Sequence, residues 1–247
     1  SPATVSRCGM VFMEQIHVGV IALVETWCQT VVKVTLPNHV DYLRNMIMKY
    51  TPLTIDFVED KCSEKVKMSK CHRMSSLLKL LTSLLSEERG VSETRNDIYN
   101  ILNNNYSFAL VWAIGGNVLD SSRDAFSDFL WNHLSSVLGQ KIPAMSVYDF
   151  VVDNDKASKV SWTTLVSVFQ YNPKMSYFDM IVPTEDTAKY TFLLEAIILK
   201  GFNVLFLGET GIGKSVITQS FLDNDAHGDI FVSTTISYSA QTTPENV

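Results

Sequence analysis

Eight consecutive residues carry the most specific chemistry in the sequence. They are Gly208, Glu209, Thr210, Gly211, Ile212, Gly213, Lys214 and Ser215, and they fit the pattern G-x-x-x-x-G-K-[ST]. The glycines let the backbone curl until successive N–H groups point at phosphate oxygens. Lys214 offers an ammonium to the β- and γ-phosphates, and Ser215 offers a hydroxyl to Mg²⁺. A helix beginning at this point adds its positive end. A chance match in a chain of this length has a probability of roughly one in a hundred. ATP with Mg²⁺ is therefore the expected ligand. Hydrolysis needs more. A phosphate-loop ATPase also uses an apolar strand ending in an acidic pair to hold the metal and orient water. No such run follows Ser215, and Asp223, Asp225 and Asp229 lie too close to the loop. The chain by itself is not expected to turn ATP over.

Arg7 is the second candidate, within the string S-P-A-T-V-S-R-C-G-M of residues 1–10. By its own chemistry it reads as a surface Arg on a small-residue turn. The four cysteines, Cys8, Cys28, Cys62 and Cys71, form no C-x-x-C pair, and such sparse use suits a reducing compartment. Cys62 with Cys71 and His72 has the wrong spacing for a zinc finger, and no second half follows.

The phosphate loop must be presented by a strand before it and a helix after it. An apolar run at 203–207 is expected to be a short buried strand, 216–222 a helix, and 230–236 another β-rich run. A helix over 188–200, closed by Gly201, leads in. This order opens a parallel α/β domain. Upstream the period is helical. Val40, Leu43, Ile47 and Tyr50 share one face. Met74, Leu77, Leu78, Leu81, Leu84 and Leu85 share another, with Gly90 suited to the left-handed position beyond the end of that helix. Further helices are expected over 97–114 and 123–138, the second with Phe126, Phe129, Leu130, His133, Leu134 and Val137 facing inward. Residues 1–36 are rich in β-branched side chains, so 11–12 and 31–36 are expected to be strands or strand ends. Residues 61–72 are a charged loop, and 144–180 an aromatic docking segment with short strands.

With 247 residues, 46% of them hydrophobic, the chain has ample material for a core. Its 26 acids and 20 bases argue against a broad nucleic-acid-binding face. No run approaches the length of a membrane helix. The sequence begins at Ser1 without an initiator Met, as a fragment would.

Five strings, in order, resemble dynein heavy chains. Residues 1–10 are similar to the family's A-T-V-S-R-C-G-M signature. Residues 108–116 with Arg123 and Phe126 resemble F-x-L-x-W-x-I-G-G … R-x-x-F. Residues 182–190 resemble V-P-T-x-D-T-x-R-Y, with Lys189 in place of the Arg. The phosphate loop matches next, and residues 239–243 resemble the S-A-Q-T-T of axonemal chains. The resemblance implies AAA+ pieces in an α/β fold class. Residues 1–36 would end the α/β subdomain of the second module, and 37–140 would be its all-helical lid. Residues 141–182 would connect to a second parallel α/β phosphate-loop subdomain beginning at 183–247, the third module.

The resemblance also gives Arg7 a role as an arginine finger on the neighbouring module's nucleotide. Arg123 would be a nucleotide-sensing lid arginine, with a helix-surface salt bridge as the plainer alternative. Val182, Pro183 and Thr184 would line an adenine pocket, with Pro183 as a simple helix-start turn the alternative. The implied whole is an ATP-driven, minus-end-directed microtubule motor in the cytoskeleton, cytoplasmic or in the axoneme of cilia and flagella. Its partners would be the rest of the ring, intermediate and light chains, and microtubules, with no nucleic acid or membrane. The other reading is a truncated interaction module with a vestigial phosphate loop.

Overall fold

The computed structural model describes residues 15–139, 145–169, 182–222 and 232–238, with side chains from residue 19 onward in the first stretch. Chain order begins with α1 (Gln15–Trp27), a π-helical turn (Cys28–Val32) and the single turn α2 (Lys33–Thr35). Then follow α3 (Val40–Lys61), α4 (Lys70–Leu84), α5 (Ile98–Ile114), α6 (Asp120–His133) and α7 (Ser135–Leu138). The hairpin β1 (Phe150–Asp153) and β2 (Ser158–Ser161) comes next. After it come α8 (Glu185–Ile198) and α9 (Lys214–Leu222).

Residues 31–35 are helical rather than extended, and Leu36 ends the helical path at φ −141°. The β-branched run misleads because the apolar spacing dominates: Val24, Trp27, Cys28, Val32 and Leu36 all enter the core from one side of a helical path. Residues 11–12 lie outside the described residues. The expected faces of α3 and α4 are as the period requires. Leu43, Ile47 and Tyr50 are buried, as are Met74, Leu77, Leu78, Leu81, Leu84 and Leu85. α4 starts with Ser69, whose hydroxyl accepts from the amide of His72. Beyond a 3₁₀ turn at Glu87–Arg89, Gly90 takes the left-handed conformation at φ 76°.

The helix expected over 123–138 is two. α6 ends at His133, Leu134 breaks the path, and α7 resumes. Phe126, Leu130, Leu134 and Val137 are buried, Phe129 is half-buried, and His133 faces solvent. Phe129 stacks instead on Phe57 of α3, ring centroids 4.0 Å apart.

Between α3 and α5 the hydroxyls of Thr51 and Tyr106 meet at 2.9 Å inside the core. Burial drives the Tyr106 phenol far above its usual range. The antiparallel β1–β2 pair, with Phe150 opposite Ser161, lies over α5 through Phe150 and Val151. Trp162, fully buried, donates its indole N–H to the carbonyl of Tyr148 at 2.8 Å. The strands expected in the aromatic segment are therefore this hairpin, and residues 170–181 of that segment lie outside the described residues.

Residues 203–207 are not a buried strand. They run without a ladder partner, and Leu205 is 78% exposed. Residues 232–236, the described part of the β-rich run at 230–236, likewise form no strand, and Val232 is 98% exposed. A strand is a property of a pair, and among the described residues neither segment has a neighbour.

Candidate functional site

The phosphate-loop segment is assembled from local devices. Thr184 caps α8: its hydroxyl accepts from the amide of Thr187 at 3.2 Å, and its own amide donates to the Thr187 hydroxyl at 2.8 Å. Glu185 and Asp186 in the first turn complement the helix dipole. At the other end Gly201, at φ 74°, reverses the chain while its amide and that of Phe202 close on the carbonyls of Ile198 and Ile197. Residues 202–207 then alternate. Phe202, Val204 and Phe206 are half-buried, whereas Asn203, Leu205 and Leu207 face solvent. Tyr190 of α8 meets Phe206 edge-on at 6.1 Å, which fixes the inner side of this segment.

The loop itself turns on glycine. Gly211 and Gly213 have φ of 85° and 88°, backbone that other residues adopt only with strain. A Cβ on Gly208 would stand 2.3 Å from the Ile212 side chain, which folds back over the start of the loop. Lys214, the first residue of α9, sends its ammonium across the loop mouth to donate to the carbonyl of Gly208 at 3.0 Å and to that of Glu209. The loop is thus tied into a ring by the one cation that the phosphate chemistry requires. A phosphate competes with those carbonyls for the ammonium and, as an anion, forms the stronger charge-assisted bond. Ser215 is exposed in the first turn of α9, where its hydroxyl has room to meet a cation on a bound phosphate. Thr210 and Glu209 lie at the exposed tip. α9 is anchored by buried Phe221, and the Thr218 hydroxyl donates to the carbonyl of Lys214 at 3.0 Å.

The remaining candidates are dispersed. Val182 is exposed and Pro183 half-buried at the start of α8, where the Thr184 hydroxyl is spent on the cap. Arg123 sits on α6, ion-paired with Asp120 at 2.9 Å, its guanidinium 5.1 Å over the Tyr148 ring. The Tyr148 hydroxyl in turn donates to the carbonyl of Gly115 at 2.9 Å. Arg7 and the S-A-Q-T-T string at 239–243 lie outside the described residues. Cys62 and Cys71 are half-buried thiols, and the described residues hold no cluster of His, Cys, Asp and Glu able to bind a metal ion. No helix among the described residues is long and apolar enough to cross a membrane.

One part of the arrangement was hidden in the sequence: the seat of α8 on the helical unit. The Arg89 guanidinium lies 5.0 Å over the Phe192 ring, and burial there pulls its pKa down against the opposing pull of Glu195. Phe108 and Trp162 each stand 5.7 Å from the same ring. Trp112 meets Tyr190 at 6.4 Å, and Lys200 pairs with Glu88 at 2.6 Å. The Lys200 hydrogen bond holds the Glu88 carboxyl below its usual range. In sequence, Glu87, Glu88 and Arg89 read as a solvated helix end. Only the fold shows that Arg89 turns inward.

The sequence is similar to known proteins along its length. The model of the dynein heavy chain AAA lid domain matches residues 43–164, and that of the P-loop containing dynein motor region matches residues 169–247. Dynein axonemal heavy chain 6 of Homo sapiens is 30% identical over 245 residues, covering 98% of this chain and 6% of that protein. Dynein axonemal heavy chain 2 of Mus musculus is 30% identical over 254 residues, covering 100% of this chain and 5% of that protein. The Dynein-1-alpha heavy chain, flagellar inner arm I1 complex, of Chlamydomonas reinhardtii is 26% identical over 270 residues, again over the whole chain and 6% of its own length. The chain therefore spans about one-twentieth of the length of the relatives it matches.

Proposed function

The chain belongs to the dynein heavy chain family, and from that premise we propose that it joins two modules of an AAA+ motor ring and carries the ATP-binding loop of the second of the two. Residues 1–36 close the large subdomain of the ring's second module, with α1 packed onto the lid. Residues 37–140 are the lid, 141–182 the connection, and 183–247 the start of the third module. The observation that supports this most is the glycine loop at the start of α9, with Lys214 drawn across its mouth. In this reading Lys214 neutralises the β/γ-phosphates of ATP, Ser215 holds Mg²⁺, and the loop amides cradle the phosphates. Val182, Pro183 and Thr184 border the adenine. Arg123 senses nucleotide bound to its own, preceding module, and Arg7 reaches the nucleotide of a neighbouring module as a trans-acting finger.

The whole protein would be an axonemal motor of cilia or flagella. It would move towards microtubule minus ends with its intermediate and light chains. Residues 216–247 contain no apolar run ending in an acidic pair, so this stretch supplies binding and other residues of the ring supply hydrolysis. A second reading, a non-hydrolysing interaction module with a vestigial loop, rests on that same sequence observation.

A titration with a fluorescent ATP analogue separates the two, followed by phosphate-release assays on this chain and on a polypeptide extended by about a hundred residues, the scale of one domain. The motor reading expects binding in both and turnover only in the longer one. Absence of binding in both would leave the vestigial reading.

A further inference from the structure

Arg73 is a charged residue that the proposed nucleotide chemistry does not use, and it is 1% exposed on the inner side of α4. Its guanidinium grips Glu64 with two parallel bonds, Nη1 to Oε1 at 2.5 Å and Nη2 to Oε2 at 2.7 Å, and donates to the carbonyl of Met68 at 3.1 Å. Glu59 stands 3.9 Å from its Nε. Burying such a pair is costly, and it rarely adds stability over an apolar packing of the same volume. What it adds is a fixed geometry, because a planar fork on a carboxylate has one orientation.

That geometry leads to α6. Glu64 pairs with Val118 in an isolated antiparallel bridge and accepts from the Asn117 amide at 3.0 Å. Asn117 in turn accepts from the backbone amides of Lys65 and Val66, through its carbonyl and its Oδ1. The Leu119 amide donates to the Ser63 carbonyl at 2.9 Å, and the Ser63 amide donates to the Ser122 hydroxyl at 3.0 Å. Every one of these contacts falls on the turn and the first residues of α6, immediately before Arg123.

We propose that Arg73, Glu64 and Asn117 form a clamp that positions Arg123, by fixing the first turn of α6 against the loop between α3 and α4. The inference rests on the reading of Arg123 as the nucleotide-sensing arginine of its own module. Arg73 and Glu64 are positioning residues and touch no nucleotide.

The test uses an intact heavy-chain ring in which the other phosphate loops are disabled by replacing their lysines, Lys214 included, with alanine. A fluorescent ATP analogue then reports only the module to which Arg123 belongs. Asn117→Ala cuts the link at a half-buried position and leaves the buried ion pair intact. Glu64→Gln weakens the grip without changing its shape. Each is expected to raise the Kd of the analogue by about ten-fold, as is Arg123→Ala. The double variant Asn117→Ala/Arg123→Ala should bind no more weakly than Arg123→Ala alone, because the clamp acts only through that side chain. Two results overturn the clamp while leaving the sensor reading intact: a Kd unchanged in Asn117→Ala and Glu64→Gln, or fully additive losses in the double variant. An unchanged Kd in Arg123→Ala removes the sensor reading and the clamp's role with it. A lowered melting temperature with unchanged affinity would mark the clamp as a stability device only.

Discussion

The helical unit and the phosphate-loop segment are stabilised in opposite ways. Between α1 and α7 the helices share one continuous core in which Leu77, Leu81, Ile101, Leu102 and Phe126 are fully buried. Among the described residues 182–222 only Leu194, Ala196 and Phe221 are buried, and the rest of the segment is shaped by a cap, three left-handed glycines and one lysine. Apolar burial is long-range and cooperative, whereas caps and glycine turns act within a few residues. The helical unit is built on the first, and the segment proposed to receive a charged ligand is built on the second. The two meet where Phe192 is held between Arg89, Phe108 and Trp162.

The largest test of this contrast compares two leucines. Leu81→Ala, in the core, should cost about 2–5 kcal/mol, and Leu205→Ala, in the unpaired segment, no more than about 0.5 kcal/mol. Urea midpoints measure both, and similar losses would mean that the two regions share one core.

Lys159 offers the next sharpest contrast, because it places a cation inside the tightly packed half. Its ammonium donates to the carbonyl of Leu138 at 2.7 Å and lies over the Phe150 ring, and burial pulls its pKa down to about 8. The unfolded chain, with an ordinary lysine, binds more protons than the folded one from about pH 8 to 10.5. This residue's contribution therefore favours folding increasingly as pH rises through that window. The buried phenols of Tyr106 and Tyr148 and the thiols of Cys28 and Cys62, all raised, pull the other way as the unfolded chain's own groups ionise. Subtracting the profile of Lys159→Met isolates the lysine. The difference between the two proteins should change by about 2 kcal/mol between pH 8 and 10, and a flat difference would place the ammonium in solvent.

In the open half, Lys214→Ala should weaken binding of a fluorescent ATP analogue at least ten-fold, about 1.4 kcal/mol, and leave the denaturation midpoint of the helical unit in place. Equal affinities would sink the phosphate-loop assignment. Thr184→Ala should cost about 1 kcal/mol, confined to α8. Amide exchange should quicken in the first turn of that helix while the core amides keep their protection. Uniform quickening would show that the cap is part of the global core.

The sequence by itself determined the features that depend on near neighbours. Glycines 208, 211 and 213 with Lys214 and Ser215 specify the loop, because its φ angles and its cation are set within eight residues. The leucine spacing of α4 and the apolar spacing of α3 specify helices and their inward faces in the same local way. Tertiary structure decided what depends on a distant partner. Residues 31–35 are helical because a helical path brings Val32, and Leu36 just beyond its end, to the core, against the β-branched preference of the run. The charged stretch 61–72 conceals Glu64, which turns inward only because Arg73 waits for it across the loop. Residues 203–207 have the composition of a strand but no ladder among the described residues, because a strand needs a second segment to pair with. Spacing records which face of an element is apolar. Which charge will be buried, and which extended run will find a neighbour, is settled only when segments far apart in the chain are brought together.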